Sequence, residues 1–130
     1  MLSKQEVINY WKTLAEEDLA TAMYNLKGRK ALATLFFFHL AIEKLLKAHW
    51  IKDNLSNTVP FTHDLQKLIT ETNLEIDAEQ FEYLFIINSW NIEARYPDYK
   101  MTLNKIATPL FLQKHGEKVN KMYQWLHDQI

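Results

Sequence analysis

Apolar residues recur at intervals of three and four along most of this chain, the spacing of amphipathic helices. Ser3 followed by Glu6 forms a capping box that opens a first helix. Its stripe of Val7, Trp11, Leu14, Ala15, Ala22, Met23 and Leu26 continues to about residue 27. Asp18 interrupts that stripe. It is read either as an edge carboxylate reaching water or as an inward one that needs a partner. Gly28 and Arg29 break the helix, with Gly in its usual place just past a C-terminus. The second helix is expected from Lys30 to Asp53, and its Ala31–Ile51 stretch is the most apolar part of the chain. Phe36, Phe37 and Phe38 are consecutive, so they cover about 200° of a helical wheel and need more than one neighbour. This helix is expected at the bundle centre, with its outer side against a second subunit.

Residues 54–61 read as a loop, after which Thr62 is expected to cap a short helix with Asp64 in its first turn. Leu65, Leu68 and Ile69 form that helix's apolar face. Asp77 and Gln80 open another helix, expected to run to about Ala94 because Pro97 disfavours helix at the preceding residue. Phe81, Leu84, Phe85, Asn88, Ile92 and Arg95 follow one stripe of it, and Ile86, Ile87 and Trp90 another. Its wide apolar arc makes it the second candidate for a dimer seam. Arg95–Met101 reads as a turn or loop, followed by a short helical turn at Leu103–Ala107. Thr108 and Pro109 then cap the last helix, whose stripe is Leu112, Val119, Met122, Tyr123, Leu126 and Ile130. Gly116 interrupts it at a cost of about 1 kcal/mol, marking a bend or a close helix contact. The expected fold is all-α: a single-domain antiparallel up-and-down bundle of four long helices and one short one.

Composition agrees. Two Gly and three Pro among 130 residues are too few for the turns of a β-sandwich or barrel. A net charge of -1 gives no global basic field, so DNA is not an expected partner and any RNA contact must be local. Cysteine is absent, which removes thiolate chemistry and fits a reducing, cytoplasmic setting. The N-terminal segment has no apolar signal-like run, and the apolar stretch of residues 31–42 is too short to span a bilayer.

The chemistry is bounded mostly by what is missing. Glycine at only two positions rules out phosphate loops of either Gly-rich type. The five histidines form no metal-ligand spacing, and no metal or cofactor is expected. Three polar clusters remain. His39, Glu43 and Lys47 fall at i, i+4 and i+8 on one side of the second helix. Thr62, His63 and Asp64 adjoin the short helix. Glu93 to Asp98 surrounds Arg95, one of only two arginines among fifteen basic residues, whose planar fork suits phosphate better than a lysine does.

The order LAEEDLATA, FFFHLAIEKLLKAHW, FTHDLQKL and EARYPDY, quoted as it stands here, resembles the HEPN domains of prokaryotes across nearly the whole chain. The resemblance implies a helical bundle, usually a homodimer, linked to nucleotide or RNA handling and often encoded beside a minimal nucleotidyltransferase, in toxin–antitoxin-like or defence settings. Many HEPN domains are metal-independent ribonucleases with Arg-x4–6-His, where Arg stabilises the phosphate and His moves a proton. Here the corresponding positions after Arg95 are Lys100, Met101 and Thr102, so that motif is absent as normally written. The chain looks more like the branch with RYPD in its place. The expectation is therefore a non-catalytic, homodimeric module binding a nucleotide, a nucleotidyltransferase partner or both. Expected ligand contacts are Arg95, Tyr96, Asp98, Lys47, Glu43, His63, Asp64 and His39; expected dimer contacts are Phe36, Phe37, Phe38, Ile87 and Trp90. The alternative is a divergent ribonuclease using Arg95 with His63 or His39.

Overall fold

A computed structural model describes residues 1–130 as six helices with no strand. Helix α1 (Lys4–Lys27) begins at the expected capping box, with Ser3 and Glu6 exchanging both hydrogen bonds. It ends in a Schellman motif. There Lys30 N–H reaches Asn25 O at 2.9 Å and Arg29 N–H reaches Leu26 O at 3.2 Å. The glycine does not occupy the left-handed position. Gly28 has φ -78°, and Arg29, with φ 59°, takes the strained conformation.

Helix α2 (Ala31–Asp53) is the centre of the bundle. Every residue from Leu45 to Ile51 is buried, which no single neighbour could achieve. Helix α1 packs along it antiparallel, since Lys4 at the start of α1 donates to Ile51 O at 2.7 Å and to Asn54 O, beyond the end of α2, at 2.8 Å. Asp18 faces inward and pairs with Lys44 of α2, the partnered alternative of the two.

Helix α6 (Pro109–Asp128) starts at the expected Thr108 cap and runs in the same direction as α2. His49 Nε2–H donates to Leu126 O at 2.7 Å, and Lys52 Nζ to Gln129 O at 2.8 Å. Helix α6 runs without interruption through Gly116. The position faces α2, and a Cβ there would lie an ordinary 3.6 Å from the Phe38 ring.

The middle of the chain departs from the sequence-based boundaries. Helix α3 (Leu65–Thr70) is capped by Asp64, not Thr62; the Asp64 carboxylate accepts from Gln66 and Lys67 N–H, and Thr62 Oγ1 accepts from Asp64 N–H. Helix α4 (Ala78–Asn88) has the expected Asp77–Gln80 capping box but stops six residues before Ala94. Asn88, Ser89 and Asn91 are weak helix formers whose side chains compete for backbone groups. Ser89 Oγ donates to Ile86 O at 2.6 Å, and Trp90 then folds back into the core. A single 3-10 turn spans Ile92–Ala94. Of the expected loop Arg95–Met101, only Arg95 and Tyr96 are non-helical: Pro97 occupies the first turn of helix α5 (Pro97–Ile106), where its missing N–H costs nothing.

The core also corrects the expected dimer seam. Phe38, Ile87 and Trp90 are buried within their own chain and offer no surface to a second one. Phe36 and Phe37 are half-buried, their rings edge to face at 5.6 Å. Trp90 joins Tyr83, His115 and Phe111 in an aromatic cluster that fastens α4 to α6. Within it the Tyr83 hydroxyl and His115 Nδ1 lie 2.8 Å apart. No helix is long and apolar enough to cross a membrane.

Candidate functional site

The periodic row on α2 is a real face. Glu43, 2% exposed, lies one turn from His39 and one turn from Lys47. Its Oε2 accepts from Lys47 Nζ at 3.0 Å. Its Oε1 accepts from His63 Nδ1 at 2.7 Å, across the interval between α2 and the segment entering α3. A carboxylate this buried requires such partners, because desolvation alone would cost several kcal/mol.

His39 supports the same neighbour from a second direction. It is fully buried, and its Nε2–H donates to the His63 carbonyl at 3.1 Å. Burial pushes the His39 pKa below its ordinary value, so the ring is neutral, with the proton on Nε2 and an unpartnered Nδ1. Two α2 residues at i and i+4 therefore hold both the backbone and the ring of His63. With Nδ1–H committed to Glu43, Nε2 is the free nitrogen of the His63 ring. That side chain is 54% exposed.

Asp64 continues the arrangement. Besides capping α3, its Oδ1 accepts from Asn88 Nδ2 at 3.0 Å. The Asn88 Oδ1 in turn accepts from Leu65 N–H at 2.9 Å. The Arg95 guanidinium then reaches the Asn88 carbonyl at 3.5 Å. It also lies 5.2 Å from the Tyr99 ring centroid, within cation–π range. Tyr99 is anchored in turn, its hydroxyl donating to Ser89 O at 3.0 Å. Asn88 is thus the link between the His63 and Arg95 clusters.

Several expected ligand contacts change role. His39 and Glu43 are enclosed, and His39 Nε2 and Glu43 Oε1 meet His63 and not solvent. Lys47 is 8% exposed, occupied by Glu43 and set 5.3 Å from the Trp11 ring centroid, so it cannot serve as a free cation. Asp64 is occupied by capping and by Asn88. Asp98 accepts from Tyr99 N–H in the first turn of α5. His63, Arg95 and Tyr96 remain exposed, and no hydrogen bond joins Arg95 to His63 or Lys47. Two residues escaped the sequence reading. Asn88 was visible only as a polar position on an apolar stripe. Phe61, 99% exposed and edge-on to His63 at 6.0 Å, sat within the FTHD segment as an unassigned aromatic.

The family model for the HEPN domain matches residues 8–129. The chain belongs to the HEPN family. Neither the curated proteins nor the solved structures give a significant match to it. Within this HEPN domain, Arg95 follows the 3-10 turn and precedes α5, so it sits between helices and not on one. The first histidine after it is His115, which is buried in the aromatic cluster and bonded to Tyr83. That ring cannot complete an Arg–His pair at the surface.

Proposed function

We propose that this HEPN domain is a non-catalytic module that binds a nucleotide, alone or as an RNA end, at the surface formed by His63, Arg95, Phe61 and Tyr96. The carrying observation is the double hold on His63 by Glu43 and His39, which immobilises an exposed polar ring without consuming its Nε2. Arg95, fixed by Asn88 and Tyr99, supplies a fork suited to phosphate oxygens. Phe61 and Tyr96, the latter 81% exposed, present open rings. Such rings supply stacking surfaces for a base. Pre-organisation of this kind lowers the ordering cost of binding. The module works as a homodimer and docks a minimal nucleotidyltransferase; resemblance to RYPD-type members supports both statements.

Thermal shift with nucleoside mono-, di- and triphosphates tests the ligand directly. Ligand at 100 times Kd adds about 2.7 kcal/mol, and Arg95→Ala is expected to abolish the gain. No stabilisation by any nucleotide removes the reading.

One observation favours a second reading, a ribonuclease with His63 as general base. The Glu43–His63 contact is 2.7 Å long. It fixes the ring tautomer as a base-orienting carboxylate does. Incubation with total RNA decides between them. Cleavage lost in both His63→Ala and Arg95→Ala establishes the enzyme, and intact RNA leaves the binding module.

A further inference from the structure

A groove of ≈ 490 Å³ runs between α4 and α6, away from the site above. Its floor is apolar and aromatic, formed by Tyr83, Ile86 and Trp125, with Ile86 44% exposed. Its two walls carry opposite charge. Glu79 and Glu82 stand on α4, and Lys118 and Lys121 on α6. All four are exposed, and none forms an ion pair or hydrogen bond within the chain. Lys118 instead lies over the Tyr83 ring, 4.7 Å from its centroid.

A small ligand of one charge would satisfy one wall and oppose the other. A second copy satisfies both. Rotation about a two-fold axis along such a groove sets the acidic wall of each copy against the basic wall of the other, and brings the two apolar floors together. We propose that two copies of this chain associate through the α4–α6 groove, with Glu79 and Glu82 of each facing Lys118 and Lys121 of the other. This rests on the dimer put forward above and gives it a surface in place of Phe38, Ile87 and Trp90, which lie in the core. The neighbouring Phe85 on α4 is 64% exposed. It extends the apolar area available to the contact.

Charge reversal of the full-length chain tests this. Lys118→Glu with Lys121→Glu makes both walls acidic, and Glu79→Lys with Glu82→Lys makes both basic. Analytical ultracentrifugation is expected to show dimer for the native chain and at least a tenfold weaker dimer for each double variant. Mixing the two variants is expected to restore a 1:1 heterodimer, and the fourfold charge swap a homodimer. Rescue by mixing cannot arise from repulsion within one chain, and circular dichroism confirms that each variant is folded. A native dimer indifferent to all these changes overturns this surface while leaving the dimer standing. A native chain that is monomeric at micromolar concentration overturns both, and leaves the groove to a partner of different sequence.

Discussion

Removing Glu43 is the most demanding test of how the site is built. Glu43→Leu deletes the acceptor for Lys47 Nζ at 3.0 Å and for His63 Nδ1 at 2.7 Å. The two losses are unequal. The His63 side chain is half exposed, so water replaces much of that contact. It contributes at most about 1 kcal/mol. The Lys47 side chain retains only 10% exposure and would keep its charge without a counter-ion. Breaking a buried pair in such a setting costs about 3–5 kcal/mol. The Trp11 ring face, over which Lys47 lies, offsets roughly 1 kcal/mol of that. The expected net loss is therefore about 2–5 kcal/mol, a large fraction of the roughly 5–15 kcal/mol typical of a domain. Urea denaturation followed by tryptophan fluorescence measures it, with an unchanged m-value confirming that the folded state is intact. Lys47→Met added to Glu43→Leu is expected to recover most of the loss, because an apolar pair removes the stranded charge. A cost below about 1 kcal/mol for Glu43→Leu alone, or no recovery in the double variant, would refute the buried-pair account.

Three further outcomes follow from single features. Gly116→Ala places a methyl at an ordinary 3.6 Å from Phe38. It is expected to stabilise by about 0.5–1 kcal/mol through helix propensity, and a drop in Tm contradicts the packing. Burial lowers the pKa of His39, His49 and His115. Below about pH 6.5 the unfolded chain therefore binds protons that the folded chain refuses. Stability is accordingly complete above that pH and falls as pH drops, each histidine adding at most about 1.4 kcal/mol per pH unit; a flat profile from pH 7 to 5 would be inconsistent with it. Arg95 is exposed, so Arg95→Ala is expected to leave urea stability within about 0.5 kcal/mol of the native value while removing nucleotide-dependent stabilisation.

Most helix starts set by a local side-chain signal were legible, the exception being α3, capped by Asp64 and not Thr62. The Ser3–Glu6 and Asp77–Gln80 capping boxes and the Thr108–Pro109 start are all present. Boundaries set by tertiary contacts were not. Asn88, the last residue of α4, bonds Leu65 and Asp64, which lie more than twenty residues earlier in the chain. Pro97 reads as a stop signal from its upstream side and acts as a first-turn residue on its downstream side. The central role of α2 was visible in its all-round apolarity, but the direction in which each Phe faces was not. Phe38 meets Gly116 and Phe36 does not, a distinction that depends on where α6 passes. For the site, the i, i+4, i+8 row placed His39, Glu43 and Lys47 together correctly. It could not reveal that all three are enclosed, because burial there is completed by the chain entering α3 and by Trp11.

The proposed function has His63, held from behind by α2, and Arg95, beside the Asn88 carbonyl, receive a nucleotide together. Isothermal titration of the native chain with nucleotides, in parallel with His63→Ala, Arg95→Ala and Asn88→Ala, tests it most directly. Saturable binding by the native chain is expected, with at least a tenfold loss on changing His63 or Arg95. A smaller loss is expected for Asn88→Ala, which keeps the backbone carbonyl that Arg95 reaches but removes the side-chain hold on Asp64 and Leu65 beside His63. Binding that survives all three substitutions unchanged would place any nucleotide site elsewhere on the molecule and contradict the claim.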